Sequence, residues 1–353
     1  MPKDTPKSEQ KLAARIVGLI GHPVSHSRSP VMQQAAFDAL GITARYETWD
    51  TPADQLARRI AALRAPEMLG ANVTIPHKAA VAPLLDAIAT DARRHTGVIN
   101  TIVREETTQG ARLIGYNTDF TALLRVLDEQ NAWRVADAGT QDGAGGGSVR
   151  MLVLGAGGAA QAALGAALLR GAQPWVAARK RGAARRALEA LYLRQLDVAG
   201  APPGDELVVA AATTALKANS GKHHAVPPPL PENWKRRAIS LEDAEALTAA
   251  LAQTHILVNA TPVGTRDAQA SPIPLAYVQA LPRGAFVLDM VYNPPETALV
   301  RTAHAAGLRA TGGLSMLLYQ GAEAFTLWTQ RPAPLAVMRA ALEASLRTAS
   351  GGV

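Results

Sequence analysis

Cysteine is absent from this 353-residue chain, which excludes disulfides, thiolate metal ligands and cysteine nucleophiles. A reducing, cytoplasmic setting agrees with that absence. Aromatic residues make up only 4%, so the sequence offers no stacking platform for nucleic acid. The net charge is +7, from 36 Lys and Arg against 29 Asp and Glu, but the basic residues are scattered, and general basicity is the better reading than nucleic-acid binding. The amino-terminal stretch MPKDTPKSEQKLAAR is charged, lacks the apolar core of a secretion signal and reads as a short disordered leader. From Met151 to Leu169 the one strongly polar side chain is Gln161, close to the length of a membrane span. Glycines at 155, 157, 158 and 165 interrupt that run, so it reads as a buried strand followed by a helix, and no membrane partner is expected. What is present, 48% hydrophobic and 18% charged residues, describes a folded chain long enough for two domains at roughly 100–200 residues each.

The first part alternates strand and helix signals. IVGLI (Ile16 to Ile20) is a buried strand candidate; Ser29 followed by Pro30 predicts a helix cap with proline at the first helical position, and that helix stops before Gly41. RYETWD and ANVTI (Ala71 to Ile75) predict strands, Thr51 and Pro52 repeat the cap-plus-proline signal, and a helix is expected through Leu85. INTIVREE and RLIGY predict two strands that can pair antiparallel. A Gly-rich excursion covers 131–150. A second alternating unit then starts at Met151, with strands at MLVLG, PWVAA, HILVNA and AFVLDMV, which predicts a doubly wound parallel sheet. The Pro-, Gly- and Lys-containing stretch near 196–238 reads as an insertion with one strand at LVVAAA, and helices from about Leu314 and Leu335 are expected to pack back on the first unit. No internal repeat is evident.

A nucleotide site is signalled by MLVLGAGGAAQAALGAALL. Gly155 permits a tight turn after the strand, Gly157 lets a pyrophosphate approach the backbone, and the following helix offers unpaired N–H groups and a favourable dipole. An NAD-selective site places an acid about 20 residues on to accept from the ribose 2′-hydroxyl. Here Arg179, Lys180 and Arg181 occupy that region and the first acid is Glu189. Cations there suit a 2′-phosphate, so NADP is the expected cofactor.

Four polar motifs fall at predicted element ends, where ligand-contacting groups tend to sit: GHPVSHSRSP, GANVTIPHK, TGVINT and GYNTD. Each alone could be capping or turn chemistry; together they supply hydroxyls, amides, a lysine and an aspartate suited to a small polyhydroxylated carboxylate. With these motifs, GAGGAA, VNATPVG (Val258 to Gly264), DMVYNPPET (Asp289 to Thr297) and GGLSMLLYQGAEAF (Gly312 to Phe325), the sequence resembles the shikimate dehydrogenase family from Ile16 to about Leu346.

That resemblance implies an α/β protein of two domains. A substrate-binding and catalytic domain would comprise 13–119 and 313–349, and a Rossmann-like NADP-binding domain would comprise 120–312. It implies reversible reduction of 3-dehydroshikimate to shikimate with NADPH in aromatic amino acid biosynthesis, by a cytoplasmic monomer or homodimer. Carried over by motif, Lys78 and Asp119 would flank the reacting oxygen. Ser27, Ser29 and Tyr292 would hold the substrate carboxylate, and Thr74, Asn100 and Gln320 its other polar groups. The cofactor would meet Gly155, Ala156, Gly157, Gly158 and Ala159 at the glycine turn, Arg179, Lys180 and Arg181 at its phosphate, and also Thr261, Val263, Val291, Gly313 and Met316. A fixed ammonium such as Lys78 stabilises and protonates the negative charge that hydride delivery builds on oxygen.

Departures from the family pattern are Gln33 and Gln34, where histidine and asparagine are common, Ala178 ahead of Arg179, Thr265 and Ser315. Adjacent His223 and His224 lack carboxylate company and read as solvated loop, so no metal is expected. GAEAFTLWT also resembles the quinate/shikimate dehydrogenase branch, which accepts quinate and often NAD; the basic run at 179–181 opposes it. A non-catalytic metabolite-sensing regulator of the same fold is the alternative of another class, and the presence of both Lys78 and Asp119 weighs against it.

Overall fold

The computed structural model describes residues 14–134, 148–199 and 233–350. Two six-stranded sheets organise them. The first contains β1 (Arg15–Gly21), β2 (Ala44–Asp50), β3 (Met68–Val73), β4 (Ala87–Ile88), β5 (Thr101–Thr107) and β6 (Gly110–Tyr116), in the order β2-β1-β3-β5-β6-β4. β1 runs parallel to β2 and β3, and β5 runs antiparallel to β3 and β6. Helix α1 (Ser29–Ala39) packs on one face with two helices from the chain's end, α8 (Leu314–Thr329) and α9 (Leu335–Ser350). There Val17 and Leu19 of β1 meet Met32, Phe37, Phe325 and Leu342. On the opposite face Ile20 packs with Leu56 and Ile60 of α2 (Leu56–Ala62). Gly18 has no side chain because the Trp49 ring lies where a Cβ would stand, 2.2 Å away.

The second sheet is wholly parallel: β7 (Arg150–Leu154), β8 (Gln173–Ala178), β9 (Ala238–Ser240), β10 (Ile256–Asn259), β11 (Phe286–Asp289) and β12 (Arg309–Thr311), in the order β12-β11-β10-β7-β8-β9. Both faces are covered, as parallel sheets require. Met151 and Val153 face the helices α3 (Thr118–Glu129), α4 (Gly158–Leu169) and α5 (Arg181–Ala199). Leu152 and Leu154 face α6 (Ala244–Leu251) and α7 (Ala298–Ala305). The apolar 151–169 run thus divides into β7 and α4, and no helix among the described residues is long and apolar enough to cross a membrane. Gly165 brings α4 against the turn Ala92–Thr96: a Cβ there would lie 2.5 Å from the His95 carbonyl oxygen.

Several local expectations need correction. Ser29 is inside α1 rather than its cap; the Ser27 hydroxyl accepts from the Ser29 N–H at 3.2 Å, and Pro30 follows as the second helical residue. Gly41 does end α1, in the left-handed conformation at φ 62°. Thr51 caps nothing, since its hydroxyl donates to the Trp49 carbonyl and a short turn at Ala53–Gln55 precedes α2. β3 stops at Val73, before Pro76, which has no N–H for a ladder. The helix expected through Leu85 is only a turn, Ala82–Leu84, because Pro83 would clash within a longer helix. The excursion boundaries narrow, since α5 continues to Ala199, Ala238 begins β9 and Arg150 begins β7. The proposed strand at LVVAAA and the pair His223 and His224 lie outside the described residues.

Candidate active site

A cleft of about 400 Å³ lies between the facing edges of the two sheets. Topology explains why polar residues distant in sequence gather there. β1, β3 and β6 all end at one edge of the first sheet, and β5, running the other way, begins at it. Ser27 and Ser29 follow β1, Thr74 and Lys78 follow β3, Asn100 precedes β5 and Asp119 follows β6. All six line the cleft, joined by Tyr292 beyond β11 and Gln320 on α8.

Lys78 Nζ donates to Asp119 Oδ2 at 2.5 Å, with side chains 16% and 10% exposed. Asp119 is fixed by its place in the first turn of α3, where the Asn117 side chain accepts from the Phe120 N–H at 3.0 Å. Asn117 also donates to the Val98 carbonyl, tying the turn down. Asn100 is locked from behind: its Oδ1 accepts from the Thr118 N–H at 2.7 Å and its Nδ2 donates to the Thr118 hydroxyl at 3.0 Å. Tyr292 lines the cleft from the second sheet; burial pushes its phenol above the ordinary value, against the pull of Arg28 and the Ser27 side chain.

The glycine turn closes the cleft from the other side. β7 and β10 are neighbours from which the chain departs in opposite directions, the crevice where open parallel sheets take ligands. Gly155 there has φ 109°, a conformation open to glycine, and its missing Cβ leaves room for the Ala260 carbonyl. Gly157 is extended, with open space where a Cβ would stand, and no side chain caps α4, so the first N–H groups of that helix are free for an anion. At Gly158 a Cβ would meet the Lys78 Cδ at 3.1 Å, so the turn lies directly over the lysine. These features fit a dinucleotide pyrophosphate.

Among the other residues expected to meet a cofactor, Ala159, Thr261, Val291, Gly313 and Met316 line the cleft. Gly313 is sterically required, since a Cβ would fall 2.2 Å from the Met290 carbonyl oxygen. Val263 and the basic run are not in that lining. Val263 is held by its backbone to Thr261 and Asn259, and Ala156 packs toward the core of the second sheet. Arg179 and Lys180 stand exposed at the end of β8, whereas Arg181 Nε donates to the Ala238 carbonyl at 3.0 Å.

Sequence reasoning missed the buried supports. Asn72 lines the cleft, accepting from the Tyr46 hydroxyl at 2.8 Å and donating to Thr101. Asp289 accepts from Asn259, Thr297 and the Val291 N–H, which braces the loops after β10 and β11; burial pushes its carboxyl up, and these three bonds oppose it. The signal was in hand, since Asn259, Asp289 and Thr297 all lie in the quoted motifs. Gln33 and Gln34 serve packing: Gln33 donates to the Gly321 carbonyl at 2.8 Å, and Gln34 joins α1 to Ala44 and Tyr46 of β2. Among the described residues no group of three or more His, Cys, Asp or Glu could hold a metal.

Comparison with known proteins agrees with this geometry. Residues 19–102 match the shikimate dehydrogenase substrate binding domain, and residues 313–343 match the shikimate 5′-dehydrogenase C-terminal domain. The shikimate dehydrogenase (NADP(+)) of Symbiobacterium thermophilum is 38% identical over 343 residues, covering 96% of this chain and 97% of that protein. That of Moorella thermoacetica is 37% identical, with 97% of each covered. A crystal structure of shikimate 5-dehydrogenase from Thermus thermophilus, in complex with NADP(H) and shikimate, is 30% identical. It superposes with a TM-score of 0.67, covering 94% of this chain and all of that one, at 100%.

Proposed function

The chain belongs to the shikimate dehydrogenase family, and from that premise we infer that it is an NADP-dependent oxidoreductase interconverting 3-dehydroshikimate and shikimate. The observation that carries this reading is the cleft itself. It gathers Ser27, Ser29, Thr74, Lys78, Asn100, Asp119, Tyr292 and Gln320 around one space and sets the glycine turn over Lys78.

NADPH, when bound, supplies the hydride. Gly155, Ala156, Gly157, Gly158 and Ala159 would cradle its pyrophosphate with backbone N–H groups. Thr261, Val263, Val291, Gly313 and Met316 would flank its reactive end, and Arg179 with Lys180 would take the 2′-phosphate. The hydroxyls of Ser27, Ser29 and Tyr292 hold the substrate carboxylate, while Thr74, Asn100 and Gln320 hydrogen-bond its remaining polar groups. Lys78 donates a proton to the substrate oxygen as negative charge develops there, and takes it back in the oxidation direction. Asp119 holds the ammonium in place through the 2.5 Å contact and accepts from the neighbouring substrate hydroxyl. Both groups are already ordered, which is what orientation-based rate enhancement requires.

Residues 13–119 with 313–349 form the substrate domain in this reading and 120–312 the nucleotide domain. The packing of α8 and α9 on the first sheet supports that division. The enzyme works in the cytoplasm, as a monomer or homodimer. Initial rates of NADP reduction with shikimate test the proposal, and a folded protein that binds NADP without turnover would return it to the regulator reading.

A further inference from the structure

Glu323 is the acidic side chain of α8 and plays no part in the cleft lining, yet it is joined to the helix that presents Asp119. Its carboxyl is hydrogen-bonded to the Thr121 hydroxyl, 202 residues away in sequence. The same hydroxyl lies 3.2 Å from the Thr118 carbonyl oxygen. A threonine has one hydroxyl proton. If Thr121 gives it to Thr118, the bond to Glu323 must be made with a proton from the carboxyl. Thr118 in turn holds Asn100 through two bonds, so one polar chain runs Glu323, Thr121, Thr118, Asn100 and ends in the cleft. It passes the turn bearing Asp119, and Gln320, one turn earlier on α8, also lines the cleft.

We propose that Glu323 is a positioning residue. As a neutral acid it donates to Thr121 and so holds the first turn of α3, with Asp119 and Asn100, in register with α8 and Gln320. The proposal rests on the reading of those residues as reaction machinery. Two carboxylates act on Glu323, Asp119 from α3 and Asp91 from the segment ahead of Ala92–Thr96. Burial foremost, with smaller contributions from these two charges, pushes its carboxyl up to about 7; a Thr121 proton turned toward the carboxyl would oppose that rise. Lys78 is paired to Asp119. From α1 and α9, the apolar Met32, Phe37, Met338 and Leu342 meet α8, and the charged Arg339 of α9 acts on Tyr319, about one turn before Glu323. Ionisation would turn the Thr121 proton toward the carboxylate and release the Thr118 carbonyl.

The first arm of the test needs no substrate. Infrared difference spectra of the full chain, wild type minus Glu323→Gln, are expected to show a protonated-carboxyl band at pH 6 that is lost at pH 9. In the second arm, Glu323→Ala and Thr121→Val are expected to lower kcat about tenfold, with KM for NADP unchanged and the melting transition retained. Glu323→Gln, which keeps a donor to Thr121, is expected to restore kcat to within about threefold of wild type. No protonated band at pH 6 overturns the proposal, as does an Ala variant with unchanged kcat or a Gln variant as impaired as Ala. A wild type inactive on shikimate would instead defeat the functional reading, leaving the infrared result to stand separately.

Discussion

At one end of the proposed site Lys78 and Asp119 meet at 2.5 Å, mostly buried and backed by Asn117 and the first turn of α3; at the other, outside the cleft lining, Arg179 and Lys180 are exposed at the tip of β8. The first end holds its side chains in a buried pair, as the proposed action of Lys78 in the transition state would require. The second end is exposed, so fixing its long side chains on a phosphate would cost side-chain entropy, and its charges are screened by salt. Chemistry and affinity should therefore separate between the two ends, and substitutions at each should move different constants.

The largest effect is expected at the ordered end. Lys78→Ala should lower kcat at least about 100-fold with modest change in substrate KM. Steady-state kinetics would break the comparison if kcat held and KM rose instead. At the exposed end, replacing Arg179 and Lys180 together by alanine should raise KM for NADP about 10- to 100-fold, from loss of charge-assisted contacts, while kcat changes less than about threefold. Titrating wild type with salt should move the same constant in the same direction.

A third prediction concerns stability. The Glu323 carboxyl is pushed up to about 7 from an ordinary 4.5. Below 4.5 both folded and unfolded states hold the proton. As pH rises from 4.5 to 7 the unfolded state releases it first, so stability falls, and above 7 the loss levels off at roughly 3 kcal/mol. Glu323→Gln should therefore gain Tm over wild type more at pH 8 than at pH 5, and thermal melts with a constant difference would contradict this. The smallest effect is expected at Arg181, whose bond to the Ala238 carbonyl ties α5 to β9. Arg181→Ala should cost about 1 kcal/mol of stability and change KM for NADP less than about threefold. A KM change matching that of the Arg179 and Lys180 pair would extend the exposed end to this residue.

The same contrast describes what the sequence made legible. β7, β10 and β11 are short apolar runs buried on both faces, which is the signal a parallel strand leaves. The site was legible because its groups sit in motifs at strand ends, and strand direction alone brings those ends to one edge. Local turn chemistry was harder to read. Ser27 and Ser29 are both competent cap residues, and only the backbone path decides that Ser27 accepts the bond. Asn72 meeting Tyr46, Gln33 meeting Gly321 and Glu323 meeting Thr121 are pairings across 26, 288 and 202 residues. No spacing rule encodes such contacts: the first joins β2 to β3 within the first sheet, and the other two arise when α8 returns to α1 and α3.

The central claim is that the ordered end acts on shikimate and the exposed end selects NADP. It is tested most directly by initial rates of cofactor reduction, with shikimate and quinate each paired with NADP and with NAD. Shikimate with NADP is expected to give the highest kcat/KM of the four combinations. A higher value for quinate, or for NAD with either acid, would contradict it.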